Sequence, residues 1–266
     1  MCSVVLVACL VLLGALAFQQ WYQSDAYSRL SSTAGVRVAS DSALTLDDLT
    51  VDWKRLFETN PDIVGWIYVP GTPIDYPVVK GSDDKEYLDR SFDGSKGWLS
   101  SKGTLFVSSQ NSGDLSDRNV VVFGHHMRDG SMFACLDDWK DQAEFDSHRD
   151  MFFLTPKGNY RLRTFARFNT TGQDKLVRTS FENDDDFHAY LEDQAAKNLV
   201  KASDVDVAKV SKSFMFSTCE YSRSDGRAVV FASVVETTNP SDPFVAISNH
   251  LVELSPDEMS GLGSLD

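Results

Sequence analysis

The sequence predicts a mainly β domain whose strands close, or nearly close, into a barrel. Many short apolar runs are separated by turn signals, and few segments show helical periodicity. With 266 residues, of which 42% are hydrophobic, the chain can form one large domain or two small ones around a substantial core.

The N-terminus has the composition of a membrane segment. Residues 4–18 are almost wholly apolar, the first charge is Asp25, and Trp21 and Tyr22 lie where interfacial aromatics are common. With its flanking residues the run is long enough to span a bilayer. We predict a retained transmembrane anchor over residues 1–23; a cleaved signal peptide and a lipoprotein signal are the alternatives.

The segments that follow predict a folded domain between two polar regions. Residues 24–43 are polar and rich in Ser and Ala, and we interpret them as a stalk. The domain spans residues 44–236 and begins with a helix over 44–60. Residues 237–266 form a polar tail, which we expect to be loosely held; packing of residues 243–254 on the domain is the alternative.

Within the domain the sequence predicts eight strands and one long helix. The helix, over residues 184–199, has apolar residues at i+4 spacing and three acids at its start. Apolar runs bounded by turn signals predict strands at residues 64–69, 75–79, 104–107, 120–123, 151–154, 160–168, 214–216 and 228–235.

Three side chains with complementary chemistry lie at strand ends. Cys219 follows one apolar run, Arg227 opens the next, and His125 and His126 follow the run at 120–123. A thiolate is a nucleophile, an imidazole can transfer a proton, and a guanidinium can stabilise an oxyanion. These residue types together suit acyl transfer through a thioester. The alternative for each of the three residues is a purely structural role. A lone Cys, for example, often packs as a small hydrophobe.

Other residues and the overall charge argue against a second reactive cysteine, a metal site and a nucleic-acid partner. Cys135 lies in a predicted amphipathic segment and is interpreted as packing. Neighbouring His125 and His126 would point to opposite sides of an extended chain, so we expect no metal site. The formal charge of −14, without a basic stripe, indicates no nucleic-acid partner.

The sequence resembles the class B sortases from about Asn60 to Val235. The resemblance rests on residues 60–72, the histidine segment 122–133, Ser217-Thr218-Cys219, and Arg227. Phe216 stands where the family motif has leucine, and residues 104–111 are less charged than the family's counterpart.

The resemblance implies a closed eight-stranded β-barrel with N-terminal helices and a long helix between strands six and seven. It also implies a single-pass enzyme of the Gram-positive cell membrane whose catalytic domain is extracellular. Such an enzyme cleaves the C-terminal sorting signal of a surface protein or pilin after Thr. It then joins the Thr carbonyl to an amine of the cell-wall precursor lipid II or of a pilin lysine. We expect no cofactor.

The resemblance also assigns roles to residues. Cys219 would be the nucleophile, His125 the general acid/base, and Arg227 the residue that binds the sorting signal or the oxyanion. Ser217, Thr218 and Tyr221 would contact substrate, and His126 competes with His125 for the role of base. A cysteine protease or amidase that uses water as acceptor, and a non-catalytic surface module, are the alternative functions. We expect the Cys219 sulfur to face the His125 ring across a groove and to be outside any disulfide.

Overall fold

The computed structural model describes residues 2–38, 44–97, 102–174, 176–220 and 225–245. The helices in these ranges are α1 (Cys2–Ala34), α2 (Trp53–Thr59), α3 (Gln142–Ser147) and α4 (Asp184–Ala195). Short 3₁₀ helices lie at Leu46–Asp48, Ala134–Lys140 and Val207–Lys209. The strands are β1 (Arg37–Val38), β2 (Leu49–Thr50), β3 (Ile63–Tyr68), β4 (Asp75–Val79), β5 (Leu105–Val107), β6 (Asn119–Phe123), β7 (Asp150–Thr155), β8 (Gly158–Thr171), β9 (Ser213–Glu220) and β10 (Gly226–Thr237).

Strands β3 to β10 form a closed barrel in the order β10-β8-β7-β3-β4-β5-β6-β9. The pairs β4–β5 and β6–β9 are parallel, and the other neighbouring pairs are antiparallel. Helix α4 lies between β8 and β9, the sixth and seventh barrel strands. The predicted eight-stranded barrel and the position of its long helix are therefore confirmed.

Two apolar clusters distinguish the inner face of the barrel from its outer face. Phe214 and Phe216 belong to the larger cluster, inside the barrel. Met215, between them on β9, belongs to a second cluster together with Phe187 and Leu191 of α4. Because successive strand residues point to opposite sides, the α4 side is the outer face. This assignment fixes which residues of β6, β9 and β10 point outward.

The helix predicted over residues 44–60 is shorter than expected. Helix α2 begins only after Asp52, whose side chain accepts a hydrogen bond from Arg55 N and caps the helix. The preceding β2 pairs with β1 instead of continuing a helix. Its Thr50 and the following Val51 are β-branched, which lowers helix propensity.

The long helix also ends earlier than predicted, at Ala195. Beyond it, Asn198 bonds the backbone of Phe165 and Arg167, and the Leu199 N–H donates to the Arg167 carbonyl. The chain is therefore drawn onto β8. Leu199, which the spacing had placed on the buried face, is 56% exposed.

Helix α1 is continuous and combines an apolar segment with a segment that packs on the barrel. Its segment Val4–Ala34 is long and apolar enough to cross a membrane, with a mean hydropathy of 2.1 in its most apolar window. Further along, Tyr27 is buried and donates a hydrogen bond to the Gly103 carbonyl. Residues 24–34, interpreted as stalk, are thus helical and packed on the barrel. Residues 39–43 lie outside the described residues.

The beginning of the polar tail is also packed. Asn239 is buried, and the side chain of Asp242 is fully shielded from solvent. Residues 238–245 therefore belong to the folded body, which differs from the expected loose attachment. The rest of the predicted tail, residues 246–266, lies outside the described residues.

Candidate functional site

Strand register brings the three candidate residues to one end of the barrel. Cys219 of β9 is the direct antiparallel partner of Arg227 of β10. Strand β6 runs parallel to β9 with Phe123 opposite Ser217, and the Gly124 N–H extends this ladder to the Ser217 carbonyl over 3.1 Å. His125 therefore follows β6 beside the end of β9 that carries Cys219.

By strand alternation, the side chains of Cys219 and Arg227 belong to the outer face. Cys219 has the same parity as Met215, and Arg227 the same parity as Val229, and both apolar residues lie in the outer cluster. His125 lies just after the end of β6 and lines the same cleft. The pattern thus excludes the barrel interior as the location of the thiol.

These three residues line a cleft of about 230 Å³. Cys219, His125 and Arg227 are all partly exposed in it. The lining is completed by Asp84, Leu88, Phe106, Phe123, Gly124, Ser217 and Thr218. A thiol, an imidazole and a guanidinium therefore share one solvent-accessible groove, large enough for a few peptide atoms.

The two neighbouring histidines make different contacts. His125 Nε2 lies 2.5 Å from the Leu88 carbonyl oxygen, and His126 Nδ1 lies 2.8 Å from the Cys219 carbonyl oxygen. A carbonyl only accepts, so each of these ring nitrogens carries a proton. His126 thereby holds the backbone of Cys219, whereas the His125 ring lines the cleft. This difference favours His125 over His126 as the base.

Of the three residues expected to contact substrate, the structure describes Ser217 and Thr218. Ser217 and Thr218 line the cleft but are each only 2% exposed. Thr218 Oγ1 is buried and has no hydrogen-bond partner among the described residues. Tyr221 lies outside the described residues. Ser217 and Thr218 therefore present little more than their edges to a ligand.

Three cleft residues were not singled out from the sequence. Leu88 and Phe106 form an apolar wall of the cleft. Asp84, which also lines the cleft, accepts a hydrogen bond from Ser109 N at 2.5 Å. Asp84 lies in a turn before β5, far from the cysteine segment along the chain. No local spacing signals its position, because only barrel closure brings these segments together.

The second cysteine of the folded domain differs from Cys219. Burial raises the pKa of the Cys135 thiol to about 12, so it is poorly suited to act as a nucleophile at neutral pH. Cys135 and Cys219 both carry free thiols. Within the described ranges no three His, Cys, Asp or Glu side chains form a potential metal site.

Comparison with known proteins identifies the family. No family model matches the chain. Sortase B of Staphylococcus aureus (strain NCTC 8325 / PS 47) is 34% identical over 188 residues, covering 70% of this chain and 75% of the relative. Sortase B of Listeria monocytogenes serovar 1/2a (strain ATCC BAA-679 / EGD-e) is 28% identical over 236 residues, covering 85% of this chain and 94% of the relative.

Solved structures agree with this relationship. A Staphylococcus aureus sortase B–substrate complex superposes with a TM-score of 0.63 at 30% identity, covering 82% of this chain and 93% of that one. A sortase B complexed with triglycine gives a TM-score of 0.63 at 29% identity, covering 86% of this chain and 97% of that one. Fold and cleft define a cysteine transpeptidase of the sortase type. The chain belongs to the class B sortases.

Proposed function

We propose that this protein cleaves a C-terminal sorting signal after Thr and transfers the new carbonyl to an amine through a thioester on Cys219. The observation that carries the proposal is the register pairing of Cys219 with Arg227 in a cleft that also contains His125. Membership of the class B sortases supports the reaction type.

The proposed first half-reaction forms the thioester. The Cys219 thiolate attacks the Thr carbonyl carbon, and the Arg227 guanidinium stabilises the oxygen that becomes negative. As the C–N bond breaks, imidazolium His125 gives its proton to the leaving amine. The products are the acyl-enzyme and the released C-terminal peptide.

The second half-reaction reverses these roles with a new amine. The incoming amine attacks the thioester carbonyl and loses a proton to the neutral His125 imidazole. The C–S bond then breaks, which regenerates the Cys219 thiolate and leaves a new amide. Thr218 and Ser217 are proposed to hold the acyl group at the edge of the cleft, and Tyr221 is proposed to contact the same substrate.

The partners follow from the proposed chemistry. The sortase B–substrate complex and the complex with triglycine support a peptide donor and an amine acceptor. We propose a surface protein or pilin as donor, and lipid II or a pilin lysine as acceptor. We also propose single-pass anchoring in the membrane with the catalytic domain outside; the length and apolar composition of α1 support the anchoring.

We propose an anchor over residues 1–23 and a catalytic domain over 44–236, with residues 24–43 connecting them and residues 237–266 following the catalytic domain. The packing of residues 24–34 and 238–245 supports a folded body that extends beyond the catalytic domain at both ends.

Transpeptidation is tested with a fluorogenic donor peptide carrying the sorting signal of a surface protein from the same genome. The enzyme is incubated with this peptide in the presence and absence of triglycine. We expect a donor–triglycine conjugate that increases with triglycine concentration and is absent with Cys219→Ala. Cleavage that yields only the free acid at every triglycine concentration would instead identify a hydrolase.

A further inference from the structure

The Arg227 guanidinium contacts the two residues that precede it in the chain. Its Nη2 lies 3.0 Å from Asp225 Oδ1, and its Nη1 donates to the Gly226 carbonyl at 3.0 Å. The Arg227 side chain is 32% exposed, so water competes for the same N–H groups. Two contacts from adjacent residues therefore fix the plane of a group that would otherwise rotate freely.

Asp225 is itself fixed by the end of β8. Its carbonyl accepts a hydrogen bond from Gly172 N at 3.0 Å, and its Oδ2 accepts one from Gln173 Nε2 at 3.4 Å. Its φ of 60° is in the left-handed region, which Asp and Asn tolerate better than most residues. The carboxylate thus joins the turn before β10 to the residues after β8.

Gly172 provides the space for this arrangement. A Cβ atom built there would lie 2.5 Å from Asp225 Oδ1 and 3.0 Å from Arg227 Nη2. The φ of Gly172 is not in the left-handed region, so an alanine is compatible with its backbone. Any side chain at this position would displace the carboxylate, the guanidinium or both.

We propose that Asp225, in the space left by Gly172, is a positioning residue that aims the Arg227 guanidinium at the carbonyl oxygen of the group on Cys219. The inference rests on the proposed function, because it gives Arg227 a role at the reacting carbonyl. Oxyanion stabilisation requires donors that are oriented before the charge develops. An arginine with four rotatable side-chain bonds gains that orientation from a fixed carboxylate.

Two substitutions test the proposal from opposite sides of the contact. Asp225→Asn keeps a residue that tolerates the left-handed backbone but removes the charge. Gly172→Ala keeps the charge but occupies its space. We expect each to lower kcat of the donor-peptide reaction about 10- to 100-fold, with a smaller change in KM, since misplacement of a stabilising group costs rates of this order.

The matched control is Gly113→Ala, since a Cβ at Gly113 meets nothing within 4 Å and its φ is not left-handed. Gly113→Ala is expected to retain wild-type kcat. Thermal unfolding midpoints of all variants, measured by circular dichroism, show whether the folded state is preserved.

A double-mutant cycle separates positioning from a general structural effect. Arg227→Ala is expected to lose more activity than either variant, and adding Asp225→Asn to it should cause no further loss. Multiplicative losses in the double variant would overturn the proposal. Wild-type kcat in both Asp225→Asn and Gly172→Ala would also overturn it. Full activity of Arg227→Ala would instead refute the role of Arg227 in the proposed function.

Discussion

At the residue scale, the candidate site depends on register and parity. Cys219 and Arg227 are direct partners on neighbouring antiparallel strands, so their side chains point to the same side. A shift of one residue in either strand would turn one of them into the barrel. The apolar alternation of β9, with Phe214 and Phe216 inside, opposes such a shift.

The contacts of the two histidines predict different effects of their removal. We expect His125→Ala to lower kcat/KM about 10²- to 10⁴-fold, the range typical of a lost general acid/base. His126→Ala should have a much smaller effect, because its ring bonds the Cys219 carbonyl and does not line the cleft. The measurement is steady-state kinetics with the donor peptide and triglycine. A larger loss in His126→Ala would reverse the assignment.

The sequence predicted Cys219, His125 and Arg227 as candidates because each lies within three residues of an apolar run. It did not single out Asp225, Gly172 or Asp84 as individual residues. Their contacts come from the pairing of β8 with β10 and from closure of the barrel. The local spacing of residues along the chain predicts neither.

At the element scale, a buried lysine joins helix α1 to the loop that follows the histidines. Lys102 is 2% exposed, and its Nζ lies 2.6 Å from Asp129 Oδ2 and 2.8 Å from Ser24 Oγ. Burial alone would raise the pKa of Asp129, but hydrogen bonds from Lys102 and Ser131 outweigh burial and lower it. The pair therefore stabilises the attachment of α1 when both groups are charged.

Removal of this lysine should destabilise the folded state. We expect Lys102→Ala to lower the free energy of unfolding by about 3 kcal/mol, since it leaves a partly buried carboxylate without its cation. Lys201→Ala, at an exposed position, is the matched control. Chemical denaturation of the detergent-solubilised chain measures both. Equal stability of the two variants would contradict a structural role for the pair.

The same contact predicts a pH dependence with a defined sign. A carboxyl whose pKa is lowered in the folded state contributes stability above its unfolded pKa. That contribution is lost as the pH falls through the folded pKa of Asp129. Asp129→Asn should therefore reduce the acid-induced part of the stability loss relative to wild type. Parallel acid titrations of unfolding free energy measure the difference.

The packing of α1 was not predictable from its composition. Residues 24–34 are mostly polar; Tyr27 and Ala34 belong to the apolar core cluster, and Leu30 packs against it. Such a segment has the composition of a linker. Its burial comes from partners distant in sequence, including Gly103 and Lys102.

At the scale of the whole molecule, the barrel was predictable from strand number and turn signals, whereas the anchoring of the polar tail was not. The Lys212 and Asp242 side chains are both fully shielded and lie 2.5 Å apart. Tyr160 also donates a hydrogen bond to Asp242 at 2.8 Å. A buried ion pair thus connects the segment after β10 to Lys212, the residue just before β9. The polar composition of this segment does not predict such a pair.

Breaking this ion pair should destabilise the whole domain. We expect Asp242→Ala to cost about 3–5 kcal/mol, because Lys212 would remain buried without a counter-charge. Ser241→Ala, at an exposed neighbouring position, should change stability by less than about 0.5 kcal/mol. Urea denaturation followed by tryptophan fluorescence measures both variants. A loss confined to Ser241→Ala, or no loss in either, would contradict the proposed anchoring.

The most direct test of the central claim is detection of the acyl-enzyme. The enzyme is mixed with the donor peptide without triglycine, quenched in acid, and analysed by intact mass and peptide mapping. Wild type and Cys135→Ala should gain the acyl mass on the peptide containing Cys219, and added triglycine should discharge it. Cys219→Ala should show no adduct. An adduct on another residue, or donor cleavage by Cys219→Ala at the wild-type rate, would contradict the account.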